Sequence, residues 1–123
     1  MGSLVLIIED DPAQRRLLEK MLDASGYRVL TAPDGESGVA TAIGRRPDLI
    51  VCDVMMPKLN GYQTVRALKS DPATSAIPVI MLTTKDQPAD AFWAGEVGAD
   101  LFMHKPVDLP RLLEQIARFT GHQ

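Results

Sequence analysis

The stretch LVLIIEDD at residues 4–11 joins five consecutive apolar residues to three carboxylates. A run that is apolar at successive positions, rather than at every second one, is typical of a strand buried on both faces of a parallel sheet. Further short runs rich in Val, Ile and Leu follow at residues 27–30, 49–52, 79–82 and 101–103. The sequence therefore predicts a sheet of five parallel strands.

The segments between these runs carry the sequence signals of helix starts and ends. Asp11 stands before Pro12, and an aspartate N-cap followed by proline is a typical first turn. The predicted apolar stripe of this helix, which ends at Gly26, is Leu17, Leu18, Met21 and Leu22. Similar signals predict helices at about residues 34–44, 62–69 and 88–97, and from about residue 108. Alternating strands and helices imply right-handed crossovers that cover both faces of the sheet.

Length and composition narrow the class of protein. The chain has 123 residues, 46% of them hydrophobic and 24% charged, with a net charge of −3, so we predict a single domain over residues 1–123. The one cysteine, Cys52, can form no internal disulfide, which favours a cytoplasmic protein. We expect no membrane insertion, because no apolar run approaches about 20 residues. The acidic balance also argues against direct binding of nucleic acid.

Charged and hydroxyl side chains stand where the predicted strands end. They are Glu9, Asp10 and Asp11 after the first strand, Asp53 after the third, Thr83 after the fourth and Lys105 after the fifth. Ligands of open parallel sheets bind beyond the carboxyl ends of the strands. Close carboxylates raise each other's pKa unless a cation lies between them, and Mg²⁺ prefers oxygen ligands of this kind. We therefore predict a Mg²⁺ site formed by Asp10, Asp11 and Asp53.

The same side chains are suited to receive a phosphoryl group. An aspartate is ionised at neutral pH, so the Asp53 carboxylate could attack phosphorus without a separate general base. Thr83 would donate a hydrogen bond to one phosphoryl oxygen, while Lys105 and the metal would neutralise the oxygens. Taken singly, Asp11 is also an ordinary helix cap and Lys105 an ordinary solvated lysine. Their joint occurrence at separate strand ends favours a carboxylate that becomes phosphorylated.

Several short motifs occur in the order and spacing of a known family. They are Glu9-Asp10-Asp11, PDLIVCDVMMP at residues 47–57, Asn60-Gly61, residues 78–83, Gly98-Ala99-Asp100 and Lys105-Pro106. With these motifs the chain resembles the receiver domain of two-component response regulators over essentially its whole length. The resemblance implies a flavodoxin-like (βα)₅ fold, an α/β sandwich that is doubly wound. Its five-stranded parallel sheet would have the order 2-1-3-4-5, with helices on both faces.

The resemblance also implies a role for each site residue. Asp53 would be the phospho-acceptor, and Asp10 and Asp11 would be the acidic pair that holds Mg²⁺. The backbone carbonyl of Met55 would be a further metal ligand. Lys105 would bind a phosphoryl oxygen, and its peptide bond with the following proline would be cis, a geometry that is inexpensive only before proline.

Signalling would depend on a switch pair. By the resemblance, Thr83 is the switch hydroxyl and is coupled to Phe102, whose ring could turn inward when Thr83 moves toward the phosphoryl group. Alternatively, Phe102 is a plain core residue. Met55 and Lys85 are expected to modulate dephosphorylation. Trp93 on the fourth helix would either mark a docking surface or fold over its own helix.

The resemblance implies a phospho-acceptor switch that modifies itself, rather than a turnover enzyme. Its phosphoryl donor would be a phosphohistidine of a sensor histidine kinase or of a histidine phosphotransfer protein. Because 123 residues leave no room for an output domain, it would signal to a downstream protein through the face of the fourth helix, fifth strand and fifth helix. We expect a monomer or weak dimer of the stand-alone chemotaxis type. Residues 83–87 and 105–108, together with Trp93, resemble receivers of pilus-driven twitching motility.

Other readings of the sequence remain open. The chain could be a receiver excised from a larger regulator or hybrid kinase, or a receiver-shaped module that never carries phosphate. A flavin- or nucleotide-binding protein of the same topology would need a phosphate-binding loop after the first strand, where this chain has three acids. A phosphatase of the haloacid dehalogenase type would need an acid two residues after Asp53, where Met55 stands.

Overall fold

The computed structural model describes residues 2–54, 60–83 and 98–121. Strands and helices alternate along these parts of the chain. They are β1 (Leu4–Ile8), α1 (Pro12–Ala24), β2 (Arg28–Ala32), α2 (Gly35–Arg45), β3 (Leu49–Asp53), α3 (Gly61–Ser70), β4 (Val79–Thr83), β5 (Leu101–His104) and α4 (Leu109–Thr120). The strands form one parallel sheet in the order β2-β1-β3-β4-β5. This confirms the predicted fold class, while the helix expected at residues 88–97 lies outside the described residues.

The three central strands are buried along their whole length, as their unbroken apolar runs predict. Side chains alternate between the two faces of the sheet. The face covered by α1 and α4 buries Val5, Ile7, Leu49, Val51, Ile80 and Leu82. The face covered by α2 and α3 buries Leu6, Ile8, Ile50, Cys52, Val79 and Met81. Each helix contributes apolar side chains to the core on its own face, so both layers hold the sheet in place.

Side chains at the helix starts satisfy backbone amides that lack a partner within the helix. Asp34 accepts from the amide of Ser37 at 2.8 Å, and Asp108 accepts from the amide of Arg111 at 3.3 Å. Asn60 forms a capping box, since its side chain accepts from the Gln63 amide and its own amide donates to the Gln63 side chain. These caps confirm the predicted helix starts to within two residues.

Two details differ from the sequence-based expectations. The second strand begins at Arg28, because the amide of Tyr27 donates to the Leu22 carbonyl at 3.1 Å and closes the end of α1 instead. Leu17 was expected in the buried stripe of α1 but is 58% exposed, while Leu18 and Leu22 are buried. Adjacent helical residues point about 100° apart, so one edge of a broad apolar stripe faces solvent. No helix in the described parts of the chain has the length and apolar character needed to cross a bilayer.

Candidate functional site

The carboxyl ends of four neighbouring strands meet at one edge of the sheet. Strand register pairs Asp53 of β3 with Leu82 of β4, and Thr83 of β4 with His104 of β5. Glu9 extends β1 by one hydrogen bond, from its amide to the Ala32 carbonyl at 3.1 Å. The polar residues predicted at these strand ends therefore lie along the same edge.

Three carboxylates come together at this edge, and they are those of Glu9, Asp10 and Asp53. One oxygen from each lies within 4.8 Å of the others. Glu9 is only 2% exposed and Asp53 only 6%. Buried carboxylates at such distances need a positive partner, and hard oxygen donors suit Mg²⁺. This acidic group therefore suits the predicted ion, and it unites Asp10 and Asp53 of the predicted ligands with Glu9.

Asp11 is the predicted metal ligand whose side chain the structure places outside this acidic group. Its Oδ1 accepts a hydrogen bond from the Ala13 amide at 3.0 Å and caps α1. Glu9 takes its place beside Asp10 and Asp53. The physical reason is position, because Asp11 is the residue from which the helix starts, and its carboxylate is directed to the free amides of the first turn. A sequence signal for Glu9 existed, since it is the first residue after the apolar run of β1.

Lys105 is the cation of the site. Its Nζ lies 3.1 Å from Asp53 Oδ1, 3.1 Å from Glu9 Oε1 and 3.0 Å from Gln14 Oε1. The predicted cis peptide bond between Lys105 and Pro106 is present. Burial alone lowers the pKa of the ammonium, but the Asp53 and Glu9 carboxylates outweigh it and raise that pKa above its ordinary value. Lys105 is therefore a fixed positive charge in contact with two of the three carboxylates.

Lys105 is the one cation of the described residues that forms ion pairs with this acidic group. Burial raises the pKa of Glu9 to about 7, and the Asp53 carboxylate adds to the rise. A hydrogen bond from the Asp11 amide and the contact with Lys105 oppose this shift. Cys52, the neighbour of Asp53 within β3, is fully buried, and burial raises the pKa of its thiol far above the usual range. Cys52 is thus a residue of the hydrophobic core.

Backbone contacts hold Asp53 against the start of α3. The Val54 amide donates to the Leu82 carbonyl at 3.0 Å, and the Gly61 amide donates to the Val54 carbonyl at 2.8 Å. A Cβ at Gly61 would lie 2.5 Å from the Asp53 carbonyl oxygen and 2.6 Å from the Val54 Cα. Only glycine permits so close an approach of the start of α3 to the backbone of Asp53 and Val54. Gly61 therefore helps to fix the position of Asp53.

Sequence reasoning missed two further residues near the site, both on α1. Gln14 accepts from Lys105, as described above. Arg15 donates from Nη1 to the Glu9 carbonyl at 3.0 Å and to the Asp10 carbonyl at 3.4 Å, which braces the backbone between β1 and α1. Neither residue follows a strand end, so the rule that located the other site residues could not find them.

The two predicted switch residues lie on neighbouring strands. Thr83 is 1% exposed at the end of β4. Phe102 of β5 is half-buried and packs against the core face that contains Met81. Its ring meets the exposed His104 edge-on, with 5.2 Å between ring centroids. Met55, Lys85 and Trp93, to which other predictions apply, lie outside the described residues.

Comparisons with known proteins agree with this geometry. The family model of the response regulator receiver domain matches residues 5–117. Protein PilH of Pseudomonas aeruginosa is 46% identical over 112 residues, which cover 91% of this chain and 93% of PilH. The chain spans between 26% and 54% of the length of several other curated relatives, which are longer proteins.

Solved structures of similar proteins share the whole fold. Chemotaxis protein CheY4 of Vibrio cholerae has a TM-score of 0.90 and 32% identity, covering 97% of this chain and 99% of that one. The receiver domain of sensor histidine kinase PA1611 from Pseudomonas aeruginosa has a TM-score of 0.91 and 30% identity, covering 98% and 99%. That structure is described as having a magnesium ion coordinated in its active-site cleft.

Proposed function

Because this chain belongs to the response regulator receiver domain family, whose members act in phosphorylation-dependent signalling, we propose that Asp53 is its phosphoryl acceptor. The observation that carries the proposal is the contact of 3.1 Å between Asp53 Oδ1 and Lys105 Nζ inside the acidic group. Asp53 is the one carboxylate of that group that ends a central strand, between β1 and β4. The family match also favours a receiver over the flavin-binding alternative.

Receiver domains accept phosphoryl groups from histidine kinases, so the donor here is a phosphohistidine of a kinase or of a phosphotransfer protein. An oxygen of the Asp53 carboxylate attacks phosphorus and forms an acyl phosphate. The P–N bond to the donor imidazole breaks, and its electron pair returns to that nitrogen. The Lys105 ammonium, together with the Thr83 hydroxyl, stabilises the negative charge on the transferred group.

The metal ligands that we propose are the carboxylates of Glu9, Asp10 and Asp53. Three carboxylates carry a charge of −3 when ionised, and Lys105 with one divalent cation supplies +3, so the loaded site is neutral. Bound Mg²⁺ would supply electrostatic stabilisation of the phosphoryl oxygens. The backbone carbonyl of Met55 stays a predicted further ligand from outside the described residues.

The proposed output is protein binding that depends on the phosphorylated state. Thr83 and Phe102 form the proposed switch, and the signalling face consists of β5, α4 and the helix predicted at residues 88–97. We propose a self-modifying switch in a single domain over residues 1–123. We also propose that it lies in the cytoplasm, which its single cysteine favours. The 46% sequence identity to PilH and the structural similarity to CheY4 support a receiver of the chemotaxis or twitching-motility type. A monomer or weak dimer and a downstream protein target complete the proposal.

The experiment that tests it is incubation with acetyl phosphate and Mg²⁺, followed by mass measurement of the intact protein. Wild type should gain one phosphoryl group that is lost in alkali, and Asp53→Asn should gain none. Asp11→Asn is the matched control, because asparagine also caps helices and Asp11 stands outside the acidic group. It should be modified like wild type. Modification of Asp53→Asn would contradict the proposal.

A further inference from the structure

The Lys105 ammonium has three N–H bonds, and three oxygens lie within hydrogen-bonding distance of it. They are Asp53 Oδ1 and Glu9 Oε1 at 3.1 Å and Gln14 Oε1 at 3.0 Å. A lysine has no fourth donor. A phosphoryl oxygen that arrives at Asp53 therefore receives a hydrogen bond from Lys105 only when one of these acceptors gives up its own.

The three acceptors differ in burial and charge. The carboxylates of Glu9 and Asp53 are almost fully buried, and a hydrogen bond to an ionised group is stronger than one to a neutral group. Before the transfer both are ionised, so breaking either contact as the phosphoryl group approaches would leave a buried charge without its partner. Gln14 offers a neutral amide oxygen from an exposed position on α1, at the edge of a groove of about 500 Å³. Water can replace Lys105 there, so Gln14 is the acceptor that leaves most easily.

We propose that Gln14 is a positioning residue that occupies one N–H of Lys105 until the phosphoryl group displaces it. The inference rests on the proposed function, in which Asp53 accepts the phosphoryl group. Gln14 and the phosphoryl oxygen compete for the same N–H of Lys105, so Gln14 disfavours formation of the phosphorylated state. Glu9 still holds Lys105 after Gln14 has left and Asp53 has become an acyl phosphate, so the ammonium does not need Gln14 to remain in the site.

The test is binding of beryllium trifluoride, a non-covalent stand-in for a phosphoryl group, measured by calorimetry in the presence of Mg²⁺. Gln14→Met keeps the length of the side chain and removes the oxygen. It should bind beryllium trifluoride roughly two- to tenfold more tightly than wild type, which is the range expected for one competing hydrogen bond. Equal or weaker binding by Gln14→Met would overturn the inference.

The matched control is Leu17→Met, which places the same side chain one turn further along α1 and removes no acceptor of Lys105. Leu17 is 58% exposed, so the control should fold and should bind beryllium trifluoride like wild type. If Leu17→Met tightens binding as much as Gln14→Met does, the effect belongs to the added methionine and the inference fails. Gln14→Glu supplies a charged acceptor and should weaken binding.

Two measurements separate this inference from the proposed function. Mg²⁺ affinity without beryllium trifluoride should be unchanged in Gln14→Met, because Gln14 bonds the ammonium and not the carboxylates; a large change would overturn the assignment. Wild type that neither binds beryllium trifluoride nor becomes phosphorylated would refute the proposed function itself. If wild type binds beryllium trifluoride and becomes phosphorylated, but Gln14→Met binds beryllium trifluoride with wild-type affinity, only the proposed role of Gln14 would be refuted.

Discussion

Two strand-to-helix junctions bring carboxylates to the same edge of the sheet, but they do so differently. The first junction, residues 9–11, has three acids in a row, and the last of them caps α1. The second junction, residues 54–60, follows Asp53, and its helix cap is the neutral Asn60. An acid thus contributes to the site when it precedes the helix cap, whereas an acid that is itself the cap is used by the amides of the first turn.

Lys105 connects the two junctions, so its loss is expected to have the largest effect. Lys105→Ala removes the cation that bonds both Glu9 and Asp53. We expect phosphorylation by acetyl phosphate to slow by roughly 100- to 1000-fold, as for the loss of one charge-stabilising donor. Circular dichroism should report an intact fold. Lys20→Ala, an exposed substitution on α1, is the control. If Lys105→Ala were phosphorylated at the wild-type rate, Lys105 would not connect the two junctions functionally.

The second junction depends on close backbone contact, which Gly61→Ala would disturb. The added Cβ would meet the Asp53 carbonyl oxygen at 2.5 Å, so we expect a loss of about 1–3 kcal/mol in the free energy of unfolding. A matched control is Gly44→Ala in α2, where an added Cβ meets nothing within 4 Å. That variant should gain up to about 1 kcal/mol, because alanine favours a helix interior. Urea denaturation measures both, and equal changes would contradict the prediction.

At the first junction, loss of charge at Glu9 should lower Mg²⁺ affinity far more than loss of charge at Asp11. We expect Glu9→Gln to lower Mg²⁺ affinity by roughly tenfold, since it removes one carboxylate of the acidic group. Asp11→Asn should leave Mg²⁺ affinity within about twofold of wild type, because its side chain caps α1. Calorimetric titration with Mg²⁺ distinguishes the two. A larger loss of Mg²⁺ affinity in Asp11→Asn than in Glu9→Gln would favour Asp11 over Glu9 as the metal ligand.

The smallest expected effect concerns the cap alone. Asp11→Ala leaves the Ala13 amide without its acceptor and should cost about 1 kcal/mol of unfolding free energy. The level of phosphorylation reached with acetyl phosphate should not change. Thermal unfolding and mass measurement on the same samples check both statements. Loss of phosphorylation at full stability would show that Asp11 acts in the site and not as a cap.

Much of the site was predictable because it obeys one rule of position. Asp53, Thr83 and Lys105 each end or follow a strand that the apolar runs identify, and parallel strands bring their carboxyl ends to one edge. The choice between Glu9 and Asp11 could not be made from residue type, because both are acids beside the same strand. It depended on which residue starts α1. The contact between Gln14 and Lys105 could not be predicted, because nothing in the sequence distinguishes Gln14 from any other exposed glutamine on a helix.

By itself, the sequence determined the layered α/β fold and the acidic residues at the strand ends, among them Asp53, the proposed acceptor. Burial patterns and strand ends depend on residues that are close along the chain. Only the tertiary structure decided which acids share the site and which oxygens hold Lys105. Those contacts join residues as far apart as Glu9 and Lys105, 96 positions along the chain. Such pairings arise because β1 and β5 lie in one sheet and α1 packs against it. Residues that are close along the chain do not specify these long-range contacts.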